Sequence, residues 1–153
     1  MRTLRIVSAA ALFLAVVPLA GSAAPVGRCR SSQLSLRYVS SEGAAGSTYY
    51  RYVVENVSGE DCHIGGFFDV KVLKNHHRVP ADIRHNNRSH RYDLPPGEKV
   101  RFVLQTSNTP PGCMRAGHLR LTPPDNTVGF RKSAHYFRFC QHEITVYAIR
   151  RHF

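Results

Sequence analysis

The chain has 153 residues, and 21 Lys and Arg stand against 10 Asp and Glu for a formal net charge of +11 at pH 7. That length suits one domain with a real core and leaves little room for a second. The charge turns the chain toward anionic partners, and the excess of Arg over Lys favours bidentate contacts to phosphate or carboxylate.

Arg2 and Arg5 precede an almost wholly apolar run, Ile6 to Leu19, too short to span a bilayer comfortably. Small residues follow from Ala20 to Ala24, with a small-x-small cut expected after Ser22 or Ala23. Residues 1–23 are therefore read as a signal peptide and 24–153 as a single β-sandwich domain. Losing Arg2 and Arg5 lowers the net charge by two, to +9, and keeps all nine histidines. No later segment could cross a membrane as a helix, and Pro25-Val26-Gly27-Arg28 before Cys29 lacks a lipobox pattern. The expected location is secreted, extracellular or associated with the cell envelope.

Gln33 to Val39 sets Leu34, Leu36 and Tyr38 against Ser35 and Arg37, a strand with one wet face. The glycine-rich stretch Gly43 to Ser47 leads into a second strand, Thr48 to Ser58. There Tyr50, Tyr52 and Val54 share one face at period two, and that face should meet the core. Asn56-Val57-Ser58-Gly59 closes the strand with turn chemistry before Cys62. Gly65-Gly66 introduces a third strand, Phe67 to Leu73. Lys74 to Tyr92 is polar and is read as a long loop with one short strand around Val79 to Ile83. Leu94-Pro95-Pro96-Gly97 launches Lys99 to Thr106, where Val100, Phe102 and Leu104 face in. His118 to Thr122, a segment around Tyr136 to Phe139, and Glu143 to Arg150 complete seven to eight strands. No window shows a useful amphipathic helix, a repeat or a heptad. The expected fold is all-β: an immunoglobulin-like antiparallel β-sandwich.

Cys29, Cys62, Cys113 and Cys140 are an even set in an exported chain, which argues for two disulfides. Four cysteines allow three connectivities. Antiparallel hairpins favour Cys29–Cys62 and Cys113–Cys140, because each pair brackets a strand pair. No Cys-x-x-Cys unit is present, so zinc or redox use is a poor reading.

The order of these pieces resembles the secreted bacterial family catalogued as domain of unknown function 4232. The resemblance rests on Cys29, the block Gly43-Ala44-Ala45-Gly46-Ser47-Thr48-Tyr49-Tyr50, Asn56-Val57-Ser58-Gly59 with Cys62, and Gly65-Gly66-Phe67. It continues through Leu94-Pro95-Pro96-Gly97, the Pro111/Cys113 turn, Leu119-Arg120-Leu121 before Pro123-Pro124-Asp125, and Cys140. It implies an exported or envelope-associated β-sandwich and supplies no catalytic or binding residues. The chain departs from the family's usual Gly-Tyr-Pro turn after the second cysteine, having Gly66-Phe67-Phe68 instead.

The sharpest candidate site is the basic segment, with Arg78, Arg84, His85, Arg88, His90 and Arg91 as anion-binding residues. They suit an anionic envelope polymer, or an acidic face of a secreted or surface protein, with affinity that falls as salt rises. The competing reading is a solvated loop that only keeps the chain soluble. No nucleic-acid motif is present. His76 and His77 are weak metal candidates, being adjacent rather than at ligand spacing, and a histidine-based metal-binding protein is the alternative function. The seven tyrosines are core and cross-strand packing first and a sugar-stacking platform second. No nucleophile elbow, zinc-protease motif or phosphate loop appears, so the chain is read as non-enzymatic and without a cofactor.

Overall fold

The computed structural model describes residues 25–151, and the expected signal peptide, 1–23, lies outside the described residues. In chain order a short 3-10 turn (Ser31–Gln33) leads into β1 (Leu34–Ala44), β2 (Ser47–Asn56), β3 (Cys62–Gly65), β4 (Asp69–Lys74), β5 (His77–Val79), β6 (Asp82–Asn86), β7 (Arg91–Leu94), β8 (Lys99–Ser107), β9 (Met114–Arg115), β10 (His118–Thr122), β11 (Phe130–Ser133) and β12 (Arg138–Tyr147). No α-helix occurs among the described residues, and none is long and apolar enough to cross a membrane. The larger sheet runs β1-β2-β8-β12-β6, with β9 beside the first part of β12. The smaller sheet runs β11-β10-β4-β5, and β3 and β7 form a separate ribbon. Pairing is antiparallel except where β6 runs parallel to β12.

Alternation decides which side of each strand is wet. On β2, Tyr50, Tyr52 and Val54 are buried, and their neighbours on β8 are Leu104, Phe102 and Val100 in direct register. Val70 and Val72 on β4 and Leu119 and Leu121 on β10 cover the facing side of the smaller sheet. The two sheets share one hydrophobic cluster, a sandwich-like arrangement. Its centre is a stack of three rings: Phe102 lies 5.0 Å from Tyr52 and 4.2 Å from Phe68. Beside it, Tyr136 stacks on Tyr38 at 3.9 Å, and its hydroxyl lies 3.3 Å from that of Tyr52. The Tyr50 hydroxyl donates to the Arg138 carbonyl at 3.0 Å and accepts from the Arg138 N–H at 2.9 Å. Burial pushes the Tyr50, Tyr52 and Tyr136 hydroxyls above their ordinary pKa. Four of the seven tyrosines are thus structural.

Turns follow local chemistry. The β1–β2 hairpin closes through Ala45 and Gly46, both at positive φ (45° and 78°), as a two-residue turn matched to the strand twist requires. Asn56, wholly buried, is the hub of the following turn. Its Nδ2 donates to the carbonyls of Glu60 and Leu94, both at 2.8 Å, and its Oδ1 accepts from the Ser58 N–H and hydroxyl. All its hydrogen-bonding capacity is used, which is what a buried amide needs. The disulfides are Cys29–Cys62 and Cys113–Cys140, as hairpin geometry favours.

Three differences from the sequence reading have physical causes. β1 runs on to Ala44 past a bulge between Tyr38 and Ser40. The two segments expected near the C-terminus are one strand, β12, interrupted at Gln141 and His142, both at φ 55°, where its register with β8 shifts. Among the described residues there are also twelve strands rather than seven or eight. The extra ones are short: β5, β6 and the start of β7 arise inside the segment Lys74 to Tyr92, read as a loop with one short strand around Val79 to Ile83, where Pro80 and Ala81 instead separate β5 from β6. β5 and β6 are edge strands and β7 has a single partner, so few of their side chains reach the core.

Candidate functional site

β5, β6 and β7 deal the basic segment to three different sheets. Arg78 sits on β5 opposite Leu73, at the edge of the smaller sheet. Arg84 and His85 lie on β6, in parallel register with Thr145 and Val146 of β12. Arg91 opens β7 opposite Gly65, while Arg88 and His90 occupy the link between β6 and β7. The six residues do not form one cluster. Arg84 is compensated locally: its Nη2 donates to Glu143 at 2.7 Å and its Nε to Asp82 at 3.2 Å. His85 stacks on Phe67 at 4.3 Å.

His90 and Arg91 do meet other basic side chains. With Arg28, His63 and Ser89 they line a groove of about 280 Å³ along the β3–β7 ribbon. His90 is shared with a second groove of about 540 Å³, lined also by Tyr92, Arg150 and Arg151. Backbone chemistry places each of these residues. Arg28 is held beside β3 by the Cys29–Cys62 disulfide and by hydrogen bonds from Cys29 N to the His63 carbonyl (2.9 Å) and from His63 N to the Gly27 carbonyl (2.8 Å). The His63 ring donates from Nδ1 to the Val26 carbonyl at 2.9 Å, since a carbonyl can only accept. Gly65 lets the ribbon close, because a Cβ there would stand 2.3 Å from the His90 carbonyl oxygen. Arg150 is pinned by reciprocal backbone bonds with Arg101 at 2.7 and 2.8 Å. Arg151 donates to the Asp93 carbonyl at 2.9 Å and lies over the Tyr92 ring, 5.9 Å from its centre.

Two carboxylates temper this surface: Asp125 pairs with Arg28, and Asp93 lies 3.7 Å from Arg91. Four guanidiniums against two carboxylates leave it cationic. All these ion pairs are exposed, so they contribute little to stability and can open to an external anion. Of the residues lining these two grooves, the sequence reading named His90 and Arg91 but not Arg28, His63, Arg150 and Arg151, which lie outside the basic segment. The family signals near them were Cys29, next to Arg28, and the block around Cys62 and Gly65, which includes His63.

A third groove, of about 290 Å³, adjoins through Arg150 on the outer face of the larger sheet. Tyr49, Arg51, Arg101, Val103 and Tyr147 line it. The outer face of the smaller sheet is basic too. Arg131, Arg120 and Lys71 stand opposite one another across β11, β10 and β4. On β10, two residues before Arg120, the His118 ring lies 6.4 Å from that of His76 and 6.5 Å from that of His135. Desolvation, then the charges of Arg131, His76 and His135, hold the His118 pKa below its ordinary value.

Of the metal candidates, His76 accepts a hydrogen bond at Nδ1 from Arg131 at 3.1 Å, and His77 lies on β5 opposite Lys74. Both thus have a cation as neighbour. Among the described residues no three His, Cys, Asp or Glu side chains converge as a metal site would require.

No curated protein and no solved structure matches the chain. A family model described as a domain of unknown function, DUF4232, matches residues 29–150. The match starts at the first disulfide cysteine and ends at Arg150, and so spans both sheets and the ribbon. The chain belongs to the DUF4232 family.

Proposed function

We propose that the chain is a non-catalytic binding module of the extracellular or cell-envelope space that holds anionic polymers on its basic ribbon face. The observation that carries this reading is the pair of adjoining grooves joined at His90, with Arg28, Arg91, Arg150 and Arg151 along them. Two disulfides suit an oxidising compartment, which supports the location. The ligand's anionic groups would displace the exposed carboxylates of Asp93 and Asp125.

The test is retention of the tag-free mature chain on isolated envelope polymer across a salt series. If four arginines are engaged, affinity should fall roughly 50-fold between 50 and 200 mM salt, as counterion release predicts for a flexible polyanion. Arg91→Glu with Arg151→Glu should abolish retention at 100 mM salt, whereas Arg84→Glu should leave it within about twofold, since Arg84 lies on β6 and lines neither groove. Salt-independent binding, or equal effects of the two changes, refutes the reading.

A further inference from the structure

The groove on the outer face of the larger sheet differs in kind from the two basic grooves it adjoins. Val103 of β8 forms its floor. Tyr49 and Arg51 rise from β2 on one side, and Tyr147 ends β12 on the other. Arg101 and Arg150 close one end, held opposite each other by their reciprocal backbone bonds. The groove thus presents an apolar floor, two aromatic side chains and three guanidiniums, one of which, Arg51, is paired with Glu42 at 2.7 Å in an exposed contact that a ligand carboxylate would have to displace.

The walls are organised in advance. The Tyr147 hydroxyl donates to Gln105 Oε1 at 2.7 Å, and Gln105 Nε2 donates to the Ser47 hydroxyl at 3.0 Å. Tyr49 and Tyr147 have ring centres 6.5 Å apart and planes tilted by 57°. At that separation the two rings touch each other, and their exposed faces together offer the apolar surface on which the C–H faces of one saccharide ring pack. The volume is at the small end for ligand sites, enough for one ring. Guanidiniums at the rim match a carboxylate borne by that ring.

We propose that this groove is a subsite for a carboxylated sugar ring, so that the polymer taken by the chain is an acidic glycan of the uronate class. This rests on the anion-binding reading above. Arg150, shared by both regions, carries the glycan from the subsite onto the ribbon face, where its next carboxylates meet Arg151 and Arg91. A bare polyphosphate would use the arginines and gain nothing from Tyr49, Tyr147 or Val103.

The experiment is an NMR titration of the disulfide-intact mature chain with oligogalacturonate, with polyphosphate and with single-stranded DNA, all of equal charge. Oligogalacturonate should bind about 10-fold tighter than polyphosphate, the gain expected from two aromatic contacts. Tyr49→Ser with Tyr147→Ser should remove that gain and leave polyphosphate affinity unchanged. Arg91→Glu with Arg151→Glu should weaken both. Retained amide dispersion will show that the tyrosine variant folds, and shifts of the Tyr49 and Tyr147 ring protons in the unmutated chain give a second readout. Equal affinities with an inert tyrosine variant overturn the subsite and leave the anion-binding reading standing. DNA binding that the tyrosine variant abolishes overturns the saccharide in favour of a nucleotide. No binding by any probe at low salt overturns both readings.

Discussion

Asn56→Asp is a near-isosteric change that isolates one buried polar hub. In the native chain Nδ2 lies 2.8 Å from two carbonyl oxygens, Glu60 O and Leu94 O, and Oδ1 faces the Ser58 N–H at 3.0 Å. These partners leave only one orientation of the amide. Aspartate keeps the acceptor side and turns the donor side into an oxygen facing two oxygens. Two hydrogen bonds of about 1 kcal/mol each disappear, and the Leu94 carbonyl, in a residue 1% exposed, loses a partner at a further cost of about 1–2 kcal/mol. The expected destabilisation at pH 7 is about 3 kcal/mol, or roughly 10 °C in Tm for a chain of this size. The introduced carboxyl is buried among acceptors, so its folded pKa rises above the unfolded value of about 3.9. The penalty is therefore smallest below pH ~4, where the acid is neutral in both states, and grows as pH rises toward the folded pKa. Guanidinium unfolding of both proteins from pH 4 to 8, read as midpoints at constant slope, measures it. A penalty below about 1 kcal/mol at pH 7, or one that does not vary with pH, would refute the hydrogen-bond assignment.

Gly65→Ala drives a Cβ to within 2.3 Å of the His90 carbonyl, so β3 and β7 must separate. A loss of about 2 kcal/mol in a urea titration is expected, together with weakened anion retention, because His90 and Arg91 move with the ribbon. His118 has a lowered folded pKa, so the unfolded chain binds more protons between that pKa and about 6.5. Its contribution is complete above pH ~6.5 and is lost as pH falls through that window. Comparing the Tm of the native chain and His118→Gln across pH 5 to 8 should show the native chain losing more Tm in acid than the variant does. Parallel curves would assign the shift elsewhere.

Much of the fold was legible because its causes are local. Alternation marked Tyr50, Tyr52 and Val54 as one buried face and placed β10 at His118–Thr122, since period-two burial follows from the pleat itself. The disulfides were legible because each cysteine pair closes neighbouring chain ends. Asn56-Val57-Ser58-Gly59 was recognisable as a turn, although the reach of Asn56 to Leu94, 38 residues away, was not.

Tertiary structure alone decided the rest. β5, β6 and β7 carry almost no hydrophobic signal, because their pairing to β4, β12 and β3 is a backbone matter that side-chain alternation does not record. That pairing turned an apparent basic loop into residues on three sheets. It retired Arg84 into ion pairs and brought His90 and Arg91 to Arg28, Arg150 and Arg151. The order β2-β8-β12 likewise set Tyr49 and Tyr147 on either side of Val103. Composition and period determined that this chain is a basic, disulfide-tied β protein. Which cations and rings converge depended on strand order, and strand order is settled by contacts between residues far apart in the chain.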